Sequence, residues 1–140
     1  MERLEVHGRT APASLQETPS LVLIDTTQLA LERSISGAAQ RHEALAANIA
    51  NASTPGYRRV DVDFHGALAA ALGSGDKSAV EHTAFTTQAD QSVGVTQADG
   101  NSIDPDNESA KLAANALEQQ AAVSVLKART AIIRSALGVA

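Results

Sequence analysis

Residues 45–57 read Leu45-Ala46-Ala47-Asn48-Ile49-Ala50-Asn51-Ala52-Ser53-Thr54-Pro55-Gly56-Tyr57. A run of small, helix-compatible residues carries two asparagines three apart and stops at Thr-Pro-Gly-Tyr. Proline cannot continue a helix, and glycine commonly follows one. The stretch therefore predicts a helix end and an abrupt change of chain direction. Nothing in it has a catalytic look; its small residues suit packing against other chains.

Upstream, Leu31, Ile35, Ala38, His42, Leu45 and Ile49 are spaced 4, 3, 4, 3, 4. That average of 3.5 is the seam of a coiled coil. Asp25, Thr26 or Thr27 can cap its start. The spacing predicts a helix from Asp25 to Asn51, about 39 Å long. His42 falls on the seam as a partly buried hydrogen-bonding residue. Gly37 sits inside the helix, where glycine costs about 1 kcal/mol relative to alanine. It is either a tolerated imperfection or a point of close approach by a partner helix.

Downstream, Val60, Val62 and Phe64 alternate with Arg59, Asp61 and Asp63. This period of two predicts a short half-buried extended segment, followed by a brief helical turn at 67–72. Residues 73–100 are polar, and Val80, Phe85, Val93 and Val95 hint at short strands in a loosely ordered loop. A second helix then starts with Asp104 as N-cap and Pro105 as first residue. Asp106 and Glu108 complement its dipole at the start; Lys127, Arg129 and Arg134 do so toward the end. Leu112, Ala116, Gln119, Val123, Leu126, Thr130, Ile133 and Leu137 are spaced 4, 3, 4, 3, 4, 3, 4, over about 50 Å.

The expected fold is mainly α. Long N- and C-terminal helices pair as a coiled-coil hairpin around an irregular, weakly β middle. The segments are a disordered extension at 1–20, a helix and turn at 21–56, the middle at 57–104, and the second helix at 105–140. His42, Gln119 and Thr130 interrupt the seams, so the pair should be marginal alone, with neighbouring copies or partners completing its burial.

Composition agrees. The chain has 140 residues, 44% of them hydrophobic, but no Trp, one Tyr and two Phe. Aromatic side chains usually dominate a thick core. The net charge of −5 comes from the middle: residues 61–104 hold seven acidic side chains and only Lys77. No basic stripe marks a nucleic-acid surface. No run of about 20 apolar residues suits a membrane span, and no cleavable signal is visible. The absence of cysteine excludes disulfides and zinc–thiolate sites.

Candidate chemistry is sparse. Asp61, Asp63 and His65 could bind a metal or move protons, but a solvated strand face or an interface charge pair explains them better. Asp99-Gly100-Asn101-Ser102-Ile103-Asp104 departs from a calcium loop in its glycine and in Ala110, and reads as a turn before a helix cap. The four histidines have no ligand spacing. No catalytic residue, cofactor or metal is expected. Asn48 and Asn51 either cap the helix end or bond a neighbouring subunit.

Residues 45–64, LAANIANASTPGYRRVDVDF, resemble the N-terminal signature of the bacterial flagellar basal-body rod proteins. With Asp61-Val62-Asp63-Phe64 following the turn, they resemble the proximal-rod members in particular. Asp99 to Asp104 resembles the segment preceding the C-terminal helix in those members, and Asn115-Ala116 fits a pair within it. The resemblance spans about residues 28–66 and 97–137. Leu117-Glu118-Gln119-Gln120 departs where the family tends to place an aromatic and an acid.

The resemblance implies a structural subunit, not an enzyme. Its terminal helices pack as coiled coils, and copies assemble helically into a rod that carries torque to the hook and filament. It implies export from the cytoplasm without a cleaved signal, and partners in other rod proteins, the basal-body junction protein and the export gate. On this reading Asn48, Ile49, Asn51, Thr54, Pro55, Gly56, Tyr57, Asp61, Asp63 and Phe64 form a subunit interface. Leu31, Ile35, Ala38, Leu45, Leu112, Ala116, Val123, Leu126, Ile133 and Leu137 form the helix seam. The rival readings are another rod subunit with the same signature, or a cytoplasmic helical-hairpin export adaptor or chaperone.

Overall fold

The computed structural model describes residues 25–90 and 100–138. The expected extension at 1–20, and Val93, Val95 and Asp99, lie outside the described residues. The chain is mainly helical: α1 (Thr26–Ala50), β1 (Val60–Asp61), α2 (Phe64–Gly73), α3 (Lys77–Glu81), β2 (Gln88–Ala89) and α4 (Pro105–Ala136).

Local chemistry sets the helix starts. Asp25 caps α1 by accepting from Gln28 N, Asp63 caps α2 through Gly66 N, and Asp76 caps α3 through Ser78 N. Asp104 accepts from Asp106 N and Asn107 N, with Pro105 opening α4. A short acidic side chain suits each place because the first amides of a helix have no carbonyl to bond.

The two long helices pack on each other. Asn48 donates to Glu108 at 2.8 Å, Asn115 to the Ala38 carbonyl at 2.8 Å, and Arg129 pairs with Asp25. As the α1 number falls the α4 number rises, so these contacts run in opposite senses along the two helices. α2 and α3 pack against α1, and β1 pairs antiparallel with β2, Val60 opposite Ala89 and Asp61 opposite Gln88.

The core is small and off to one side of the long pair: Ala38, Ala44, Val62, Phe64 and Phe85. Phe64 and Phe85 meet edge to face, ring centres 6.2 Å apart. Gly37 explains why the ring of Phe64 fits there. A Cβ on Gly37 would lie 2.5 Å from Phe64 Cβ, which is steric overlap. The close approach at this glycine thus comes from α2 of the same chain.

Several expectations are corrected. His42 is exposed, as are Ala116 and Leu137. α1 buries Gly37, Ala38, Ala44, Leu45 and Asn48, a face rotated away from His42 because it must meet both α4 and Phe64. On α4 the neighbour Asn115 is buried where Ala116 was expected, since a straight helix repeats every 3.6 residues and drifts from a 3.5-residue line. Leu137 lies past the stretch opposite α1. The extended segment is only Val60–Asp61, and Phe64 already opens α2. The part of 73–100 that is described holds α3 and β2, with Val80 and Phe85 buried against the helices.

Candidate functional site

The end of α1, strand β1 and the start of α4 converge on a polar joint. Its centre is Asn48, which is fully buried. Its amide nitrogen donates to the Val60 carbonyl at 2.7 Å and to Glu108 Oε2 at 2.8 Å, and its oxygen accepts from Val60 N at 3.0 Å. An amide side chain carries both donors and acceptors. Here it closes the free edge of β1 as a neighbouring strand would, and holds α4 with its remaining hydrogen.

Arg59 is the second hub. Its Nε donates to Glu108 at 2.6 Å and one terminal nitrogen to Asp61 at 2.7 Å. The other terminal nitrogen pairs with Asp90. Arg41 holds Asp61 at 2.9 Å, and Lys111 reaches Glu108 at 3.2 Å. Three basic groups thus meet three carboxylates, so charges largely out of water are paired, as burial demands.

The electrostatics follow. Burial alone would push the carboxyls of Asp61 and Glu108 up. Hydrogen bonds from Arg41 and Arg59 to Asp61, and from Arg59, Asn48 and Lys111 to Glu108, hold both below the usual carboxylate range. Burial would lower the Arg59 guanidinium, but its bonds to Glu108 and Asp61 outweigh that and raise it. All three stay charged near neutral pH.

Asn101 forms the adjoining clasp. Also fully buried, it donates to the carbonyls of Asn51, Ala52 and Thr54 at 3.2, 2.9 and 2.9 Å. Its oxygen accepts from Ile103 N at 2.8 Å. The orphan carbonyls past a helix end need donors, and Asn101 brings them from the approach to α4. Gly56 and Gly100 have φ of 72° and 82°. A Cβ on Gly100 would lie 3.6 Å from Gly56 Cα, so the two turns meet backbone to backbone.

The other expected site residues divide by exposure. Ile49, Asn51 and Tyr57 are half-buried; Thr54, Pro55 and Gly56 are exposed. Asn51 closes α1 through the Ala47 carbonyl at 2.8 Å and accepts from Thr54 Oγ1 at 3.2 Å. Asp63 is exposed and engaged in capping α2, while Phe64 is in the core. Asp61 and Asp63 therefore do not act as a pair, and among the described residues no group of three His, Cys, Asp or Glu could hold a metal ion. The structure turns Asn48 inward and gives it partners within the chain.

Arg59, Glu108, Arg41 and Asn101 are joint residues that the sequence reading did not single out. A signal for Glu108 existed: one further step of four before Leu112 lands on it. Its charge diverted the reading toward the helix dipole. Arg59 had no comparable signal, because two of its three partners, Asp90 and Glu108, are distant in sequence.

The family of flagella basal body rod proteins matches this chain at residues 34–58, which cover most of α1 and the turn. The flagellar basal body rod protein FlgB of Escherichia coli is 38% identical over 104 residues, covering 63% of this chain and 75% of the relative. FlgB of Salmonella typhimurium shares the same identity and coverage. FlgB of Cereibacter sphaeroides is 32% identical over 105 residues, covering 69% and 82%.

Proposed function

The chain belongs to the flagellar basal body rod protein family, and on that premise we propose that it is a structural subunit of the proximal rod that assembles helically with copies of itself. It carries torque from motor to hook and filament and has no catalytic role. α1 and α4 act as a coiled-coil hairpin, the axial stem. The exposed turn Thr54–Gly56 is the part of the motif free to contact a neighbour.

One observation carries the reading. Both stretches that resemble the family, at the end of α1 and before α4, are tied to each other through Asn48, Glu108 and Asn101. The segments expected to identify a rod subunit are the ones that fix its two long helices. The small core fits a subunit whose remaining burial comes from neighbours.

Partners on this reading are other rod proteins, the basal-body junction protein and the export gate. The chain leaves the cytoplasm without a cleaved signal and resides in the basal body. Expression of a tagged chain in cells lacking their own proximal-rod subunit tests this. Restored swimming, with the tag at the proximal end of purified basal bodies, is expected. A tag at the distal end favours another rod subunit. A chain confined to cytosol favours the adaptor and overturns the proposal.

A further inference from the structure

The two edges of the β1–β2 pair are closed differently. Asp90 N donates to the Arg59 carbonyl at 2.9 Å. Those residues thus form a hydrogen-bonded pair, and the next pair, Val60 and Ala89, does not. Val60 accordingly turns its amide and carbonyl outward to Asn48. Ala89 turns its own out of the opposite edge, where they meet no partner among the described residues. Beside that edge is an open hollow of about 410 Å³, lined by Ala89, Gln88, Asp61, Asp63, Asp90 and Arg41 among others. Even with Arg59 behind Asp61 and Asp90, three carboxylates there outnumber two guanidiniums.

The chain itself carries a matching cation. Arg58, Lys127 and Arg134 are the exposed lysines and arginines among the described residues. Lys127 and Arg134 stand about 28 and 39 Å beyond Glu108 along α4. Arg58 lies at the joint, just past the exposed turn, and among the described residues it has no hydrogen bond or ion pair. Its own hollow is out of its reach. The adjacent Arg59 turns into the joint toward Asp61 and Asp90, and successive side chains of an extended backbone point to opposite sides. Arg58 and the hollow therefore lie at the same height on different sides of one molecule. Copies standing side by side in the same orientation bring the two together.

We propose that, in the rod, Arg58 of one copy enters the hollow beside β2 of the next. A guanidinium carries five donors in a fixed fork. The outward carbonyl of Ala89 accepts from one arm. Asp63 accepts from another, because its helix cap engages only one of its two oxygens. The surface that gives differs from the surface that receives, so the contact is heterologous and repeats from copy to copy without closing at two. A single exposed ion pair is weak in water; its use is to select which side of each copy meets the next. The contact rests on the rod reading and deepens it, by naming one lateral contact of the helical assembly.

Charge exchange and cross-linking in cells that depend on this chain test it. Arg58→Glu should lower the number of basal bodies per cell at least threefold, with an unchanged circular dichroism spectrum because the site is exposed. Gln88→Lys fills the hollow with a positive charge and should do the same. The two together pair again with reversed sign and should assemble better than either alone. Since the chain has no cysteine, a variant with both Arg58→Cys and Gln88→Cys can be oxidised within purified basal bodies. A ladder of two, three and more joined copies is expected, and none from Arg58→Cys alone. Rods that contain the double variant but give no ladder overturn the contact and leave the rod reading standing. So do a product that stops at two copies, joining by Arg58→Cys alone, or a normal count of basal bodies with Arg58→Glu. Absence of the unaltered chain from basal bodies overturns the rod reading, and this contact with it.

Discussion

At the scale of single residues, Asn48 and Gly37 show how little freedom the joint leaves. Asn48 supplies a donor to a carbonyl and to a carboxylate, and an acceptor to an amide. Asn48→Asp keeps the shape and reverses that chemistry, setting two carboxylates face to face. Unsatisfied buried groups cost about 1–3 kcal/mol each, and the like charges add to this. Urea titration should show the variant destabilised by about 3 kcal/mol or more at pH 7, and by less near pH 5, where one carboxyl of the pair can take up a proton. Gly37→Ala makes a sharper test. In an open helix the change stabilises by about 1 kcal/mol. Here the new methyl would overlap Phe64, and overpacking costs about 1–3 kcal/mol. The expected outcome is a lower melting temperature; a higher one would mean that Phe64 can step aside.

At the scale of elements, the long helices were legible in the sequence because their determinants are local. Asp25, Asp104 and Pro105 mark starts, Pro55 and Gly56 mark a stop, and the period between them needs no partner to be read. What was not legible depends on contacts distant in sequence. Val80 looked like a strand residue, yet it is buried on α3. His42 looked like a seam residue until Phe64 arrived at Gly37 and turned the face. The joint was half legible. Asn48 and Asn51 stood out by composition, whereas Arg59 acquires its meaning only when Asp61, Asp90 and Glu108 surround it. Glu108 is where two elements depend on one side chain. Glu108→Ala leaves Arg59 buried with one carboxylate fewer, a loss of about 3–5 kcal/mol by analogy with broken buried pairs. The same group sets an acid limit. Asp61 and Glu108 titrate below their unfolded values near 4. Their contribution is therefore complete above about pH 5 and is lost as the pH falls below 4 toward their folded values. Thermal melts of the wild-type chain and of Glu108→Ala should converge as the pH drops through that window. A constant gap between them would remove Glu108 from the acid sensitivity.

At the scale of the whole molecule, a small core is supplemented by polar clasps, and the turn, held by Asn101 at the Thr54 carbonyl, leaves its side chains exposed. A Cβ placed on Gly56 meets no atom within 4 Å. The main cost of Gly56→Val is then the left-handed backbone, roughly 1–2 kcal/mol. The variant chain should fold, but cells depending on it should make fewer basal bodies and swim less. Undiminished motility would mean that the turn takes no part in assembly. The clasps also have a mechanical meaning. Asp25–Arg129 pins one end of the helix pair, Asn48–Glu108 pins the other, and Asn115 holds the Ala38 carbonyl between them. Sliding one helix past the other by a single turn would mismatch all three at once. Shear along the stem therefore meets stepwise, cooperative resistance rather than gradual creep. A subunit so pinned would twist as one strut, keeping its length and phase while the load passes through it.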